Sequence, residues 1–441
     1  MFKYNILYKI YCMTYLKYGL LLLKSIYIVS TEYVKYKLNI VTHVDAYNNV
    51  TNRLSNLNIL YTKLLQWIIN DTINCDDEIK KNIEKFTDNV EYHESDIDYI
   101  SLINLINNND IKLLSLTPYK SGTISIIFKG ILNNKPVIIK MIRKNIENKL
   151  RESIEYFKFL GKIVSYIPYI SEFNIEKIIN NNCDELMIQT NFINEVDNIE
   201  TFYKNFKDNE NIIIPEVYKK YTVENNNVIV MDYIEGINVY SLINESEDKS
   251  KYIKLIYQFI LESIFDYNIF HGDLHPGNIL FIKDDTSETN KYKIGIIDYG
   301  IIAKFDSSLK QNICTFFKKL IHRKYNELFE LILDNLIEQN DSIEKLDKDT
   351  KEIIINKLII KQKEFDILSS NLKPNDIYHI NNVLQEYNLT LSYKFSKLFF
   401  FISSMYSLLF ILQYKIEDGL FKAAFNDYCN KNIFNYLHFV D

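Results

Sequence analysis

One stretch constrains this chain more than any other: HGDLHPGN, from His271 to Asn278, with Asp298-Tyr299-Gly300 twenty residues downstream. Four residues separate Asp273 from Asn278, and Asp298 stands two positions before a glycine. A carboxylate, an amide and a second carboxylate in that order suit a particular chemistry. Mg²⁺ is a hard cation that takes oxygen ligands, commonly one or two from protein and the rest from phosphates and water. The Asn278 amide oxygen and the Asp298 carboxylate are therefore candidate metal ligands, bridging Mg²⁺ to nucleotide phosphates. Asp273 is the candidate to orient or deprotonate an attacking hydroxyl or water.

The flanks supply the context that such a pattern needs. LESIFDYNIF, ahead of the loop, has the apolar spacing of a helix, and Ile279 to Ile282 reads as a short strand. Ile294 to Ile297 reads as a buried strand that delivers Asp298 to a turn at Gly300. The plain alternative is a loop held only by the turn chemistry of Asp, His, Pro and Gly, and the matched flanks argue against it. With them, the stretch resembles the catalytic loop and metal-binding turn of protein-kinase-like phosphotransferases.

Upstream, the hydrophobic period changes from helical to alternating at Lys120. GTISIIFKGIL and KPVIIKMI read as two β-branched strands joined by a turn at Asn133-Asn134. Lys140 sits in VIIK, the context of a lysine that holds nucleotide phosphates, and Gly122 lies in the turn before it. With one glycine there, the turn is not a GxGxxG loop. Glu195, in FINEVDN, is the candidate ion-pair partner of Lys140. NNVIVMDYIEG reads as a strand running into a polar turn, where backbone groups from Met231 to Tyr233 can read an adenine edge.

Length and composition set limits. At 441 residues and 47% apolar content the chain can hold more than one unit and a full core. A net charge of −6 argues against a general nucleic-acid or anionic-membrane binder. The five cysteines are scattered and include no CxxC, which fits an intracellular, reducing compartment and disfavours zinc. Residues 1–40 carry Lys3, Lys9, Lys17 and Lys24 and no acid before Glu32. The apolar runs between these lysines are too short to span a bilayer, and the first arginine is Arg53, unlike an organelle presequence. An amphipathic helix that packs on the protein is the first expectation there, and one resting on a membrane surface the second. The location expected is cytoplasmic or peripheral to a membrane, with organelle import left open.

Residues 45–115 read as helical with polar breaks near Asn70 and Asp88, and residues 143–180 as mostly helical. After Gly300 the expected helices cover about 306–338, 350–361, 375–386, 392–415 and 418–430. Leu398 to Tyr414 holds no charge; with its serines and Gln413 it reads as a buried core helix before a membrane span.

Taken together, HGDLHPGN, IGIIDYG, KPVIIKMIRKNI, FINEVDN and VIVMDYIEG resemble the UbiB/ADCK family of atypical kinases, over residues 50–430 or so. That resemblance implies ATP or ADP with Mg²⁺, and a link to ubiquinone or another prenyl-phenol lipid. The family's nucleotide lysine falls on Lys140, its catalytic Asp on Asp273, its metal ligands on Asn278 and Asp298, and its FxxExxN pattern on Phe192, Glu195 and Asn198. Its KxGQ motif becomes KLLQ, which keeps Lys63 and Gln66, and its alanine-rich loop becomes Lys120-Ser121-Gly122-Thr123. Its acidic ExD element becomes Gln189-Thr190-Asn191, so any anchor for Lys63 there is neutral and weaker.

The fold expected is α+β, a bilobal protein-kinase-like architecture. It has a helical extension over 1–115, a small sheet-containing lobe with a helical insertion over 116–235, and a helical lobe over 236–441. The function expected is an ATP-dependent kinase or ATPase. A pseudokinase scaffold and a small-molecule kinase of the aminoglycoside or choline type stay open as alternatives.

Overall fold

Helix α1 (Phe2–Lys37) turns through Asn39, which takes a left-handed φ of 55°, and helix α2 (His43–Leu57) returns alongside it. Thr42 and Asp45 close a capping box at the start of α2, each side chain accepting the other's backbone N–H. Buried Glu32 accepts from Lys35 (2.7 Å), Arg53 (2.9 Å) and Asn49 (3.1 Å), which ties the two helices together.

The computed structural model describes residues 2–61, 90–107, 111–164, 186–245, 249–286, 291–338, 346–365, 374–392, 394–396, 408–409, 412, 424–425 and 428. Two units divide the chain: Met1–Val196 with Val217–Tyr233, and Asp197–Glu216 with Ile234–Asp441.

The first unit continues with helix α3 (Tyr99–Asn107) and strands β1 (Ile111–Leu113), β2 (Lys120–Ser121), β3 (Ser125–Leu132) and β4 (Lys135–Ile142). Asn133 and Asn134, at φ 49° and 66°, form the tight turn between β3 and β4, the conformation that two-residue hairpins favour and asparagine tolerates. Helix α4 (Ile146–Val164) follows. Tyr156 and Phe159 on α4 receive Tyr18 of α1 at 5.8 and 5.6 Å between ring centres. Helix α5 (Phe192–Phe206) starts in the first unit and ends in the second.

Next come strand β5 (Ile212–Ile213) of the second unit, then helix α6 (Lys219–Glu224) and strand β6 (Val228–Asp232), which belong to the first. The antiparallel sheet of the first unit runs β1-β3-β4-β6, with β2 also on β3. Phe128, Val137, Ile139, Val228 and Val230 fill its covered face together with Leu102 of α3. Strand β1 corrects the helical reading of residues 45–115. Only three residues long, it is made by pairing with Gly130, Ile131 and Leu132 and carries no local periodicity of its own.

The second unit proceeds through helices α7 (Val239–Ile243) and α8 (Ser250–Phe265) and strands β7 (Ile269–His271), β8 (Ile279–Lys283), β9 (Tyr292–Ile296) and β10 (Ile302–Lys304). One small sheet has the order β5-β9-β8, and β7 pairs with β10. Helix α8 buries Ile253, Ile256, Phe259 and Ile260 beneath them. Gly295 allows a close approach in β9, because a Cβ there would meet Ile234 Cγ2 at 2.8 Å.

Helices α9 (Ser307–Ile321), α10 (Tyr325–Leu331), α11 (Lys348–Phe365) and α12 (Pro374–Gln385) follow, with a π-helical segment Ile332–Leu336 continuing α10. The helix expected over 306–338 is broken, because Arg323 takes a φ of 55° between α9 and α10. Most of Leu398 to Tyr414 lies outside the described residues, but Leu408, Leu409 and Leu412 are buried.

Candidate functional site

The candidate residues fall into two groups, one in each unit. In the first, Lys140 lies midway along β4, hydrogen-bonded between β3 and β6, where its backbone has little freedom. Its Nζ donates to Glu195 Oε1 at 2.6 Å, and both side chains are buried. Glu195 occupies the first turn of α5, where a carboxylate is favoured by the helix dipole. Asn191 caps that turn, its Oδ1 accepting the Asn194 N–H at 3.2 Å. The ion pair expected from the sequence is therefore present, and Asn191 has a structural task of its own.

The loop before β3 is built around Arg143. Its guanidinium donates to Gly122 O (3.0 Å), Ser121 Oγ (2.7 Å), Asp96 Oδ2 (3.1 Å) and Glu91 O (3.2 Å). Gly122 N–H donates to Ser125 O, and a Cβ at Gly122 would meet that oxygen at an ordinary 3.6 Å. In this geometry alanine would fit as well, so the glycine is not demanded by a steric approach here. Beside it, Thr123 Oγ1 is buried with no hydrogen-bond partner among the described residues. A buried hydroxyl left in that state is costly unless a ligand satisfies it.

Met231 is buried and paired on both sides, with Ile138 and Val217. Tyr233 N–H donates to Pro136 O at 3.1 Å, so this residue could offer an adenine edge only its carbonyl. The Tyr233 ring, with that of Tyr119, brackets Lys129 Nζ at about 4 Å. Lys63 and Gln66 lie outside the described residues.

In the second unit, β7 ends at His271, and Pro276–Asn278 forms a single 3₁₀ turn capped by His275, whose Nδ1 accepts the Gly277 N–H. Asn278 Nδ2 donates to Asp273 O at 2.8 Å, which fixes the amide orientation and leaves Oδ1 for another partner. Asp298 Oδ1 accepts the Gly300 N–H at 3.0 Å, and Ile297 N–H donates to Asn278 O.

The spacing of the HGDLHPGN run gives His271 no role by itself. The structure supplies one: Nε2 bonds Asp298 O at 2.5 Å, and Nδ1 accepts the Asp273 N–H at 3.2 Å. One neutral ring thus ties the backbone of the candidate base to that of the candidate metal ligand. Complete burial pushes the His271 pKa down, outweighing the Asp298 carbonyl and nearby carboxylates that pull it up. Asn198 likewise has no role from spacing alone, and its Nδ2 donates to Tyr299 O at 2.9 Å. The signal for both was their place inside the motifs.

An Asn oxygen and an Asp carboxylate are the donor set of a Mg²⁺ site completed by phosphates and water. Among the described residues no cluster of three His, Cys, Asp or Glu side chains could hold a metal alone. The residues fit a metal that arrives with a nucleotide.

Residues 112–332 match the family model of the ABC1 atypical kinase-like domain. The chain is 30% identical over 225 residues to a probable protein kinase UbiB of Blochmanniella pennsylvanica, covering 49% of this chain and 40% of that protein. It is 28% identical over 228 residues to the protein of the same name from Shewanella baltica, covering 50% and 40%. The chain thus spans about two fifths of the length of these curated relatives. Among solved structures it is similar to the Rv3197–erythromycin complex of Mycobacterium tuberculosis, at 18% identity and a TM-score of 0.42 over 68% of this chain and 73% of that one. A second is the Rio2 kinase–ADP/Mg²⁺–phosphoaspartate complex of Chaetomium thermophilum, at 13% identity and 0.31 over 74% and 94%.

Proposed function

The chain belongs to the ABC1 atypical kinase-like family, and on that premise we propose that it is a Mg²⁺-dependent, ATP-binding kinase or ATPase of the UbiB type. The observation that carries this is the pinned Asn278 amide, which holds its oxygen free of the loop while His271 locks Asp273 to Asp298. Lys140, oriented by Glu195, holds the nucleotide phosphates, and the Thr123 hydroxyl and the Gly122 loop receive them. Asn278 and Asp298 hold the metal, and Asp273 accepts or orients the proton of the attacking hydroxyl or water. When bound, the metal neutralises charge developing on the phosphates. The acceptor is proposed to be connected with prenyl-phenol lipids, which the resemblance of its motifs to the UbiB/ADCK family implies.

The test is nucleotide hydrolysis and transfer by the purified chain, with and without a prenyl-phenol, beside Asp298→Asn. Turnover that the substitution abolishes supports the proposal. In the same variant Mg-nucleotide binding should weaken more than free-nucleotide binding; equal loss of both would remove Asp298 as a ligand. Binding without any turnover would make the chain a nucleotide-binding scaffold.

A further inference from the structure

Arg143 follows β4 directly, three residues beyond Lys140, and its buried guanidinium meets acceptors from two separate stretches of the first unit. One is the loop before β3, where Nε donates to Gly122 O at 3.0 Å and Nη2 to Ser121 Oγ at 2.7 Å. The other is Val90 to Asp96, where Nη1 donates to Glu91 O at 3.2 Å and to Asp96 Oδ2 at 3.1 Å. The two stretches also meet directly, the Val90 N–H donating to Ser121 O at 2.8 Å. A guanidinium is planar and its donors point in fixed directions, so these acceptors move together or not at all.

Peptide geometry carries this fork through to the loop. The Gly122–Thr123 peptide is trans, and a trans peptide points its C=O and its N–H in opposite directions. Gly122 O is turned to Arg143, so the Thr123 N–H is turned away from it. Among the described residues that N–H meets no acceptor, and the hydroxyl of the same residue has no partner either. Thr123 is nonetheless buried. Two open donors on one buried residue are costly by themselves and suit an oxygen-rich anion.

Charge does not account for Arg143. Asp96, a carboxylate only 4% exposed, compensates the guanidinium and also accepts from Lys149 at 3.0 Å. What Arg143 gives the loop is therefore direction rather than positive potential.

We propose that Arg143 is a positioning residue for the nucleotide phosphates. It holds the Gly122 carbonyl inward so that the Thr123 N–H and hydroxyl face a phosphoryl group, and it makes that orientation depend on the segment Val90 to Asp96. This rests on the reading of the Gly122 loop as the one that receives phosphate. The experiment compares two ligands on the purified full chain: ATP–Mg²⁺ by calorimetry, and adenosine, which has no phosphate, by ligand-observed NMR. Arg143→Lys keeps the charge and loses the fork. Its affinity for ATP–Mg²⁺ falls about tenfold, the effect of one charge-assisted hydrogen bond, while adenosine binds as it does to the wild type. Asp96→Asn leaves Arg143 in place but slackens one arm, and lowers the ATP–Mg²⁺ affinity about threefold with the same selectivity. Should Arg143→Lys fail to fold, Ser121→Ala removes a single acceptor of the fork and gives the same selective loss. Equal loss of both ligands, or unchanged ATP–Mg²⁺ affinity in the folded variants, overturns the proposal and leaves Arg143 a packing residue. Lys140→Met separates this from failure of the nucleotide reading. A wild type that binds no ATP–Mg²⁺, or a Lys140→Met variant that binds it as tightly, overturns that reading and the proposal with it.

Discussion

The ion pair between Lys140 and Glu195 offers the sharpest test of the first unit. The two groups are 2.6 Å apart, with side chains only 9% and 3% exposed. Removing one member of so buried a pair costs about 3–5 kcal/mol. Glu195→Gln keeps the shape and one acceptor oxygen, which brings the expected loss to about 2–3 kcal/mol. Lys140→Met removes the charge and leaves Glu195 buried, at a similar cost. The double variant leaves two neutral, well-shaped side chains and should lose little more than either single change. The coupling energy expected from the cycle is therefore about 2 kcal/mol. Hydrogen exchange of the β4 amides in a urea series reads the opening of this unit in all four proteins. Losses that simply add, within about 0.5 kcal/mol, would refute the pairing as an energetic unit. A coupled pair whose single variants bind nucleotide as tightly as the wild type would leave the pair structural and deny it the phosphate-positioning role.

Two more perturbations follow from local geometry. Burial pulls the Asp96 carboxyl up, but hydrogen bonds from Lys149 and the His93 N–H, with the Arg143 charge, bring it below its ordinary value of 3.8. A carboxyl depressed on folding stabilises above its unfolded pKa and loses that contribution as pH falls through the folded one. The wild type should therefore weaken steeply below pH ~4, whereas Asp96→Asn, already weaker at pH 7, should change less in urea midpoints; parallel curves would contradict this. Gly295→Ala would press a Cβ against Ile234 Cγ2 at 2.8 Å and should cost about 1–3 kcal/mol as overpacking. Adding Ile234→Ala should cost less in the Gly295→Ala background than in the wild type by thermal unfolding, and an equal cost in both would place the strain elsewhere.

The His271–Asn278 turn and the β3–β4 hairpin were legible in the chain because both are local. Asp273 and Asn278 are five positions apart and share one loop, and Asn133-Asn134 carries its own turn preference. The ABC1 kinase-like family was legible for the same reason, since its motifs are short runs with fixed internal spacing. Tertiary structure decided what depended on distant partners. Nothing near Ile111 announces a strand, because β1 exists only through its hydrogen bonds to β3. The break at Arg323 has no Gly or Pro to mark it. His271 bridges 27 positions to reach Asp298, and its neutrality comes from burial among Phe202, Phe259 and Tyr299. The alternation of leucine and lysine along α1 could be read in the sequence, but which face would be covered could not. That was settled when Tyr18 met Tyr156 and Glu32 met Arg53, since a helix has many apolar positions and packing can bury only the face that finds partners.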